Sequence, residues 1–169
     1  MRQIDFNDLH TRETPREILE MDFPKLGSLP IKGGWGYDQV SACVIDKNDP
    51  VVDPTIPFNG VALEYIFAEY RLYEELIVFR TNGKKFAGIN RELMSQKLLS
   101  LDGRSYDLLT FQVSAFLEHD FNLLKSRYQG PHGVSNPNFD FNAHQILHNS
   151  MLHTGTREYW FDITSFYVI

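Results

Sequence analysis

The sequence contains one cysteine, Cys43, among 169 residues. A single thiol excludes an intramolecular disulfide and a zinc cluster built from cysteines. Reactive thiols need an exposed and electropositive setting, whereas Cys43 lies in the alternating apolar run 40–45. We therefore expect a buried apolar residue, and a cytoplasmic location, where thiols stay reduced.

Long apolar runs are missing as well. No run approaches the roughly 20 residues that a membrane-spanning helix needs. Residues 1–5 lead into polar sequence rather than into an apolar segment, which is not the pattern of a signal peptide. Neither a membrane partner nor secretion is expected.

Basic residues are outnumbered, with 16 lysines and arginines against 22 aspartates and glutamates and a net charge of −6. The pair Lys84-Lys85 is the longest basic run. Proteins that bind nucleic acid carry clustered basic residues that neutralise phosphates, so a nucleic-acid partner is not expected. An acidic surface attracts a basic protein instead.

Apolar and aromatic side chains are abundant, at 43% and 14% of the chain. This composition and length predict one globular domain over residues 1–169 with a substantial core. We expect an N-terminal helix with Gly/Pro-rich loops in residues 1–58, a β-rich core in 59–116, and helices with a terminal strand in 117–169. The predicted fold class is α+β, with a mainly antiparallel sheet, long central strands and three to four short helices.

Three turn signals punctuate the predicted core: Asn59-Gly60, Asn82-Gly83 and Asp102-Gly103. Such dipeptides favour tight hairpins because both residues tolerate positive φ. Between the first two signals, aromatic and β-branched enrichment favours one long strand over residues 61–81. Periodicity leaves a helix open, through Leu63, Ile66, Phe67, Tyr70, Tyr73 and Ile77.

The other elements follow from spacing and capping residues. Residues 90–99 have helical spacing, with a second long strand as the alternative, and 109–115 alternate as a strand. Thr14 followed by Pro15 marks a helix start, and Asp140 caps a helix that runs to about residue 150. Residues 116–129 form another helix, with Phe121, Leu124 and Tyr128 on one stripe. The run 157–169 is predicted to return to the sheet as a strand.

Chemistry-bearing patterns are incomplete. The glycine-rich run 33–37 lacks the phosphate-binding spacings, and no serine lies in a nucleophile-elbow context. Glu64 and Glu74 interrupt an otherwise apolar face, so each lies either at a strand end in solvent or beside a partner or cavity inside the protein. No catalytic residue is assigned.

His144 and His148 are the candidate metal ligands, four residues apart on a predicted helix. The segment from His144 to His148 resembles the zinc-protease motif, but Gln145 replaces the glutamate that activates water. A third ligand would have to come from His119, His132, His153 or Asp162. A metal-binding protein or metal-assisted hydrolase using zinc is therefore the alternative function, and no other cofactor is expected.

The favoured function is a non-catalytic acidic domain that binds a basic protein. Bacterial immunity proteins, which inhibit secreted toxins, have this general character. Acidic contacts would raise the rate of association with a basic partner, and aromatic side chains would supply much of the binding affinity. The candidate partner-binding residues are Trp35, Tyr37, Asp46, Asp49, Asp53, Glu69 and Glu75.

Overall fold

A computed structural model describes residues 2–167 of the chain, and within them four α-helices and six strands form. The helices are α1 (Pro15–Asp22), α2 (Gly60–Tyr73), α3 (Glu118–Gln129) and α4 (Phe141–Met151). The strands are β1 (Arg2–Gln3), β2 (Ile31–Gly33), β3 (Cys43–Ile45), β4 (Phe86–Leu101), β5 (Arg104–Leu117) and β6 (His153–Asp162). A 3₁₀ turn (Pro24–Leu26) follows α1, and a π-helical turn (Glu74–Val78) follows α2. This confirms the predicted α+β class.

The strands belong to one mostly antiparallel sheet with the order β2-β3-β6-β5-β4, and β1 also pairs with β6. Strand β2 is antiparallel to β3, with Ile31 opposite Ile45. Strand β6 runs parallel to β3 and to β1, with Cys43 opposite Phe161 in the first pair. The two-residue turn Asp102-Gly103 makes β4 and β5 a long antiparallel hairpin.

Residue contacts divide the chain into two compact units. Unit 1 consists of Met1–Phe6, Glu74–Glu92 and Gln112–Arg157, and unit 2 of Asn7–Tyr73, Leu93–Phe111 and Glu158–Ile169. The fully buried apolar side chains of unit 2 include Leu19, Ile31, Ile45, Phe67, Leu72, Leu109, Phe111, Tyr159 and Phe161. Unit 1 buries Leu76, Phe86, Val113, Ala115, Phe116 and Leu124.

The prediction of a strand over residues 61–81 is wrong, because this segment forms α2 and the π-helical turn. Asn59 does not start a hairpin; its side-chain oxygen accepts a hydrogen bond from the Ala62 N–H at 3.0 Å and so caps the helix. The buried positions of α2 include Glu64, Phe67, Ala68, Arg71 and Leu72, which recur at helical spacing. The helical alternative read from the same pattern is therefore the correct one.

The prediction of a helix over residues 90–99 is wrong as well, since this segment belongs to β4. Leu93, Met94 and Leu98, whose spacing had favoured a helix, are exposed on the strand and contribute little to a core. Pairing with β5 decides the conformation. The hairpin turn supports it, because Asp102 and Gly103 both adopt positive φ, at 53° and 74°.

Helices α1, α3 and α4 and strand β5 lie close to where the sequence predicts them. Thr14 accepts the Glu17 N–H at 3.2 Å and caps α1, with Pro15 at the first position. Asp140 accepts the Ala143 N–H at 3.0 Å and caps α4. The C-terminal strand begins at His153 and ends at Asp162, earlier than the predicted 157–169, of which residues 168–169 lie outside the described part.

Among residues 2–167, no helix is both long and apolar enough to cross a membrane.

Candidate functional site

The acidic loop from Asp46 to Asn59 in unit 2 is built by side chains that hold their own backbone. Asp46 accepts the Asn48 N–H, Asp49 accepts the Val51 N–H and Asp53 accepts the Thr55 N–H, each at 2.9 Å. These are turns in which a carboxylate replaces a backbone carbonyl. The spacing of these aspartates resembles the oxygen ligands of a calcium loop. In the structure the carboxylates instead accept backbone N–H groups and stabilise turns.

The loop presents an apolar surface that we call the 51–58 surface, made of Val51, Val52, Asp53, Ile56, Pro57 and Phe58. Ile56 is 63% exposed and Val51 is 44% exposed. Two clefts share most of this surface. One, of about 280 Å³, extends toward Pro30 and Leu63, and the other, of about 520 Å³, extends toward Lys47 and Asp49.

The three aspartates of the loop differ in their electrostatic surroundings. The Arg16 guanidinium binds Asp49 at 2.5 Å, and this hydrogen bond is the main reason that the Asp49 pKa lies below its ordinary value. Asp46 is 3.5 Å from Lys32. Hydrogen bonds from the Thr55 hydroxyl and N–H lower the pKa of the exposed Asp53, so this carboxylate stays charged at neutral pH. Asp53 is exposed whereas Asp46 and Asp49 are half-buried, so Asp53 is the outward-facing anion of the loop.

The structure places the two predicted aromatic anchors around a buried arginine of unit 2. Trp35 is only 5% exposed, and its indole N–H donates to the Thr11 hydroxyl at 3.0 Å. Tyr37 accepts the Leu9 N–H at 3.0 Å, and its ring lies 4.4 Å from the Arg71 guanidinium. Arg71 also donates to the carbonyls of Trp35 and Glu158. Trp35 is therefore a buried residue of unit 2 rather than a surface contact, whereas Tyr37 is half-buried.

The two predicted acidic contacts on α2 and the following turn are engaged inside their own units. Glu69, in unit 2, accepts the Tyr73 hydroxyl at 2.6 Å. Glu75, in unit 1, is 1% exposed and forms an ion pair with Arg157 at 2.8 Å. A carboxylate buried against an arginine is not accessible to a partner, which corrects the expected surface position of Glu75.

A pair of buried carboxyl groups lies within unit 2. Glu64, on α2, and Asp107, on β5, are 1% and 2% exposed. Burial raises the pKa of Glu64 to about 9, and the neighbouring Asp107 carboxylate adds to the shift. Gln96 donates to Asp107 at 2.7 Å. At neutral pH Glu64 is therefore protonated, which relieves the repulsion between the two buried carboxyl groups.

His144 and His148 lie in the wall of one pocket of unit 1, which we call the aromatic pocket. Its volume is about 290 Å³, and its apolar lining comes from Phe116, Phe121, Leu124 and Tyr128. The His148 ring meets Phe116 edge-on with centroids 4.9 Å apart, and the His144 ring lies 5.4 Å from Tyr128. The predicted stripe Phe121, Leu124 and Tyr128 thus faces the histidines of α4.

The four residues suggested as a third metal ligand have other surroundings. His119 is exposed, His132 lines a neighbouring cleft, and His153 packs edge-on against Phe86. In unit 2, Asp162 accepts a hydrogen bond from Arg104 at 2.6 Å. Within residues 2–167 no three histidine, cysteine or carboxylate groups come together in a way that could hold a metal ion.

Three residues that matter here were not singled out in the sequence. Asp107 lies on the same strand face as Leu109, Phe111 and Val113, so an aspartate on a predicted buried face was a detectable signal. Ile56 is an apolar residue within an Asp/Pro-rich loop, which is a weaker signal. Arg71 gave none, because a charged residue near the middle of an ambiguous segment is most often exposed.

No protein-family model, curated protein or solved structure matches the chain.

Proposed function

We propose that this chain is a non-catalytic protein-binding domain and that the 51–58 surface of unit 2 binds a basic protein. The observation that carries the proposal is the exposure of Ile56 between two clefts, next to the charged and outward-facing Asp53. Protein interfaces combine an apolar centre, in which a few side chains supply most of the affinity, with a polar rim. Ile56, an exposed apolar side chain bordered by clefts, could form the apolar centre of such an interface.

The distribution of charge supports a basic partner. Unit 2 contains 15 acidic and 8 basic residues, whereas unit 1 contains 7 and 8, so the net charge of −6 comes from −7 and +1. Three acidic residues of unit 2 are buried, namely Glu64, Asp107 and Asp162, and so is one basic residue, Arg71. The remaining 12 acidic and 7 basic residues still give unit 2 an anionic surface, which raises the association rate of cationic partners.

The partner chemistry follows from these features. A suitable partner presents an apolar side chain that fits a cleft beside Ile56, flanked by lysine or arginine that reaches Asp53. A small secreted basic toxin, the kind of protein that bacterial immunity proteins neutralise, is the specific partner that we propose.

The test uses the intact chain as bait for affinity capture from its source organism, with quantitative mass spectrometry at low and high salt. The Ile56→Ser variant removes the apolar centre. Val40→Ser is the matched control, because Val40 is 98% exposed on the same unit but lies outside the 51–58 surface. Asp53→Asn removes the charge while keeping the oxygen that accepts the Thr55 N–H.

We expect a basic protein that is retained by the parent chain and by Val40→Ser, and whose affinity, measured with the purified pair, falls about 10-fold or more with Ile56→Ser. Asp53→Asn should reduce mainly the association rate and its salt dependence. Absence of a stoichiometric partner, or a partner whose affinity is the same for all variants, would contradict the proposal.

A further inference from the structure

We infer that the aromatic pocket of unit 1 is a binding site for a small aromatic carboxylate. This site is separate from the 51–58 surface and does not depend on the proposed protein-binding function. Its volume of about 290 Å³ lies near the lower end of small-molecule sites, about 300 Å³. A ligand of one or two fused rings matches this size.

The lining favours a flat ring. Phe116, Phe121 and Tyr128 contribute three aromatic side chains, and Leu124 adds an aliphatic wall. Aromatic side chains bind another ring by offset stacking or edge-to-face contact. The position of Phe121 is set closely, since a Cβ at Gly88 would lie 2.6 Å from its ring. The pocket wall is therefore held by packing rather than by loop residues.

The two histidines offer different hydrogen-bonding groups. The Nδ1 atom of His144 is buried and has no hydrogen-bond partner, and a buried acceptor without a partner is less costly than a buried N–H. The tautomer with hydrogen on Nε2 is thus favoured, which makes His144 a donor toward a ligand. His148 Nδ1 lies 3.3 Å from the side-chain oxygen of Asn149, so it carries the hydrogen and leaves Nε2 as an acceptor.

The charge of the lining selects an anion. Lys125 and Gln129 complete the wall of the aromatic pocket, and among the described lining residues there is one cation and no carboxylate. A carboxylate accepts hydrogen bonds from an ammonium group, from an amide N–H and from the His144 Nε2–H. Two histidines without a third ligand do not satisfy zinc, whereas the His144 Nε2–H can donate to a carboxylate.

The experiment compares 2-naphthoate with its uncharged analogue 2-naphthamide. Binding to the full chain is measured by isothermal titration calorimetry, and the site is mapped by amide chemical shifts in NMR. Lys125→Met removes the cation and keeps a similar aliphatic stem. Lys84→Met is the matched control, because Lys84 is an exposed lysine of the same unit that does not line the pocket.

We expect 2-naphthoate to shift the amides of α3 and α4, and to bind at least 10-fold more tightly than 2-naphthamide. Lys125→Met should remove this difference, while Lys84→Met should preserve it. Either lack of binding at millimolar 2-naphthoate or equal affinities of the two compounds for the parent chain would overturn the inference. Shifts confined to residues outside the aromatic pocket would do the same.

Discussion

At the residue scale, this protein buries several ionisable side chains, and each needs an arrangement that offsets the cost of burial. Arg71 is fully buried, and its guanidinium lies 3.5 Å from the Tyr159 ring centroid while it donates to two backbone carbonyls. Such a charge is tolerated only when its donors and its face have partners. The Glu64–Asp107 pair solves the same problem differently, by keeping one carboxyl group protonated.

The Glu64 proton makes the free energy of unfolding depend on pH. The pKa of Glu64 is about 9 in the folded chain, against an ordinary value of 4.5, so between these values the folded chain holds a proton that the unfolded chain releases. The free energy of unfolding therefore falls as pH rises, by about 1.4 kcal/mol per pH unit from this group. Glu64→Gln should abolish this contribution. The free energy of unfolding of the variant minus that of the parent chain should therefore increase by roughly 2 to 3 kcal/mol from pH 6 to pH 8. Urea unfolding of both proteins at the two pH values measures this difference.

Asp107→Asn provides the matched comparison for Glu64→Gln. Because burial is the largest cause of the Glu64 shift and Asp107 the second, this variant should retain part of the pH dependence. Parallel pH profiles of stability for the parent chain and Glu64→Gln would contradict the assignment of the proton to Glu64.

Cys43 should not react with thiol reagents in the folded protein. It is fully buried on β3, and burial raises the pKa of its thiol far above neutrality. Since the thiolate is the reactive form, Ellman's reagent should detect less than about 5% of the thiol in native protein within an hour. One full equivalent should appear after unfolding in guanidinium. Rapid reaction of the native protein would show that β3 opens or that the thiol is accessible.

At the element scale, two segments adopt a secondary structure other than the one that their local sequence favours. Residues 61–78 are rich in aromatic and β-branched residues, yet they form a helix, because the buried positions of α2 recur at helical spacing and Asn59 caps the start. Residues 90–99 have helical spacing, yet they pair with β5. Packing in the first segment and strand pairing in the second outweigh intrinsic propensities, which span only about 1 kcal/mol per residue.

Substitution of Gly88 and Gly103, both on the β4–β5 hairpin, distinguishes the energetic cost of backbone strain from that of steric overlap. Both adopt positive φ, at 59° and 74°, but only at Gly88 would a Cβ meet another side chain, the Phe121 ring. Gly103→Ala should cost about 1 kcal/mol from strain alone. Gly88→Ala should cost a further 1 to 3 kcal/mol or so, because Phe121 has to move.

Denaturant unfolding of the two alanine variants measures this difference. Gly88→Ala should also change the amide chemical shifts of α3 around Phe121, which Gly103→Ala should leave unaltered. Equal costs for the two substitutions would mean that Phe121 is not held against β4 as the structure shows.

At the scale of the whole molecule, the unequal charge of the two units is the main electrostatic feature. Unit 2 carries the acidic excess and unit 1 is nearly neutral. A cationic peptide should therefore contact unit 2 first. The exposed acidic residues of unit 2 are Asp8, Glu13, Glu17, Glu20, Asp38, Asp53, Asp102 and Glu158.

Titration with a short oligolysine at low salt, followed by amide NMR shifts, checks this expectation. The shifts should concentrate in unit 2 and should diminish several-fold at about 0.5 M salt, where the screening length is only a few ångströms. A neutral peptide of the same length is the control. Shifts spread equally over both units would argue against a directed anionic surface.

Local patterns in the sequence determined the helix ends and the tight turn. Thr14-Pro15, Asp140 and Asp102-Gly103 act through bonds and dihedral angles within a few residues, so their roles are legible without the fold. The alternation of 109–115 likewise predicts β5, because one face of that strand is buried throughout. The aromatic stripe of α3 was also legible, but not the pocket that it lines.

Only the tertiary structure decided which acidic and aromatic residues are accessible. Trp35 and Glu75 resemble surface contacts in the sequence, but Trp35 is buried, with its indole N–H bonded to Thr11, and Glu75 pairs with Arg157. Asp53 and Ile56 are exposed, in a loop whose turns are stabilised by hydrogen bonds from backbone N–H groups to the carboxylates of Asp49 and Asp53. Burial and charge pairing depend on residues far apart in the chain, and no local pattern contains that information.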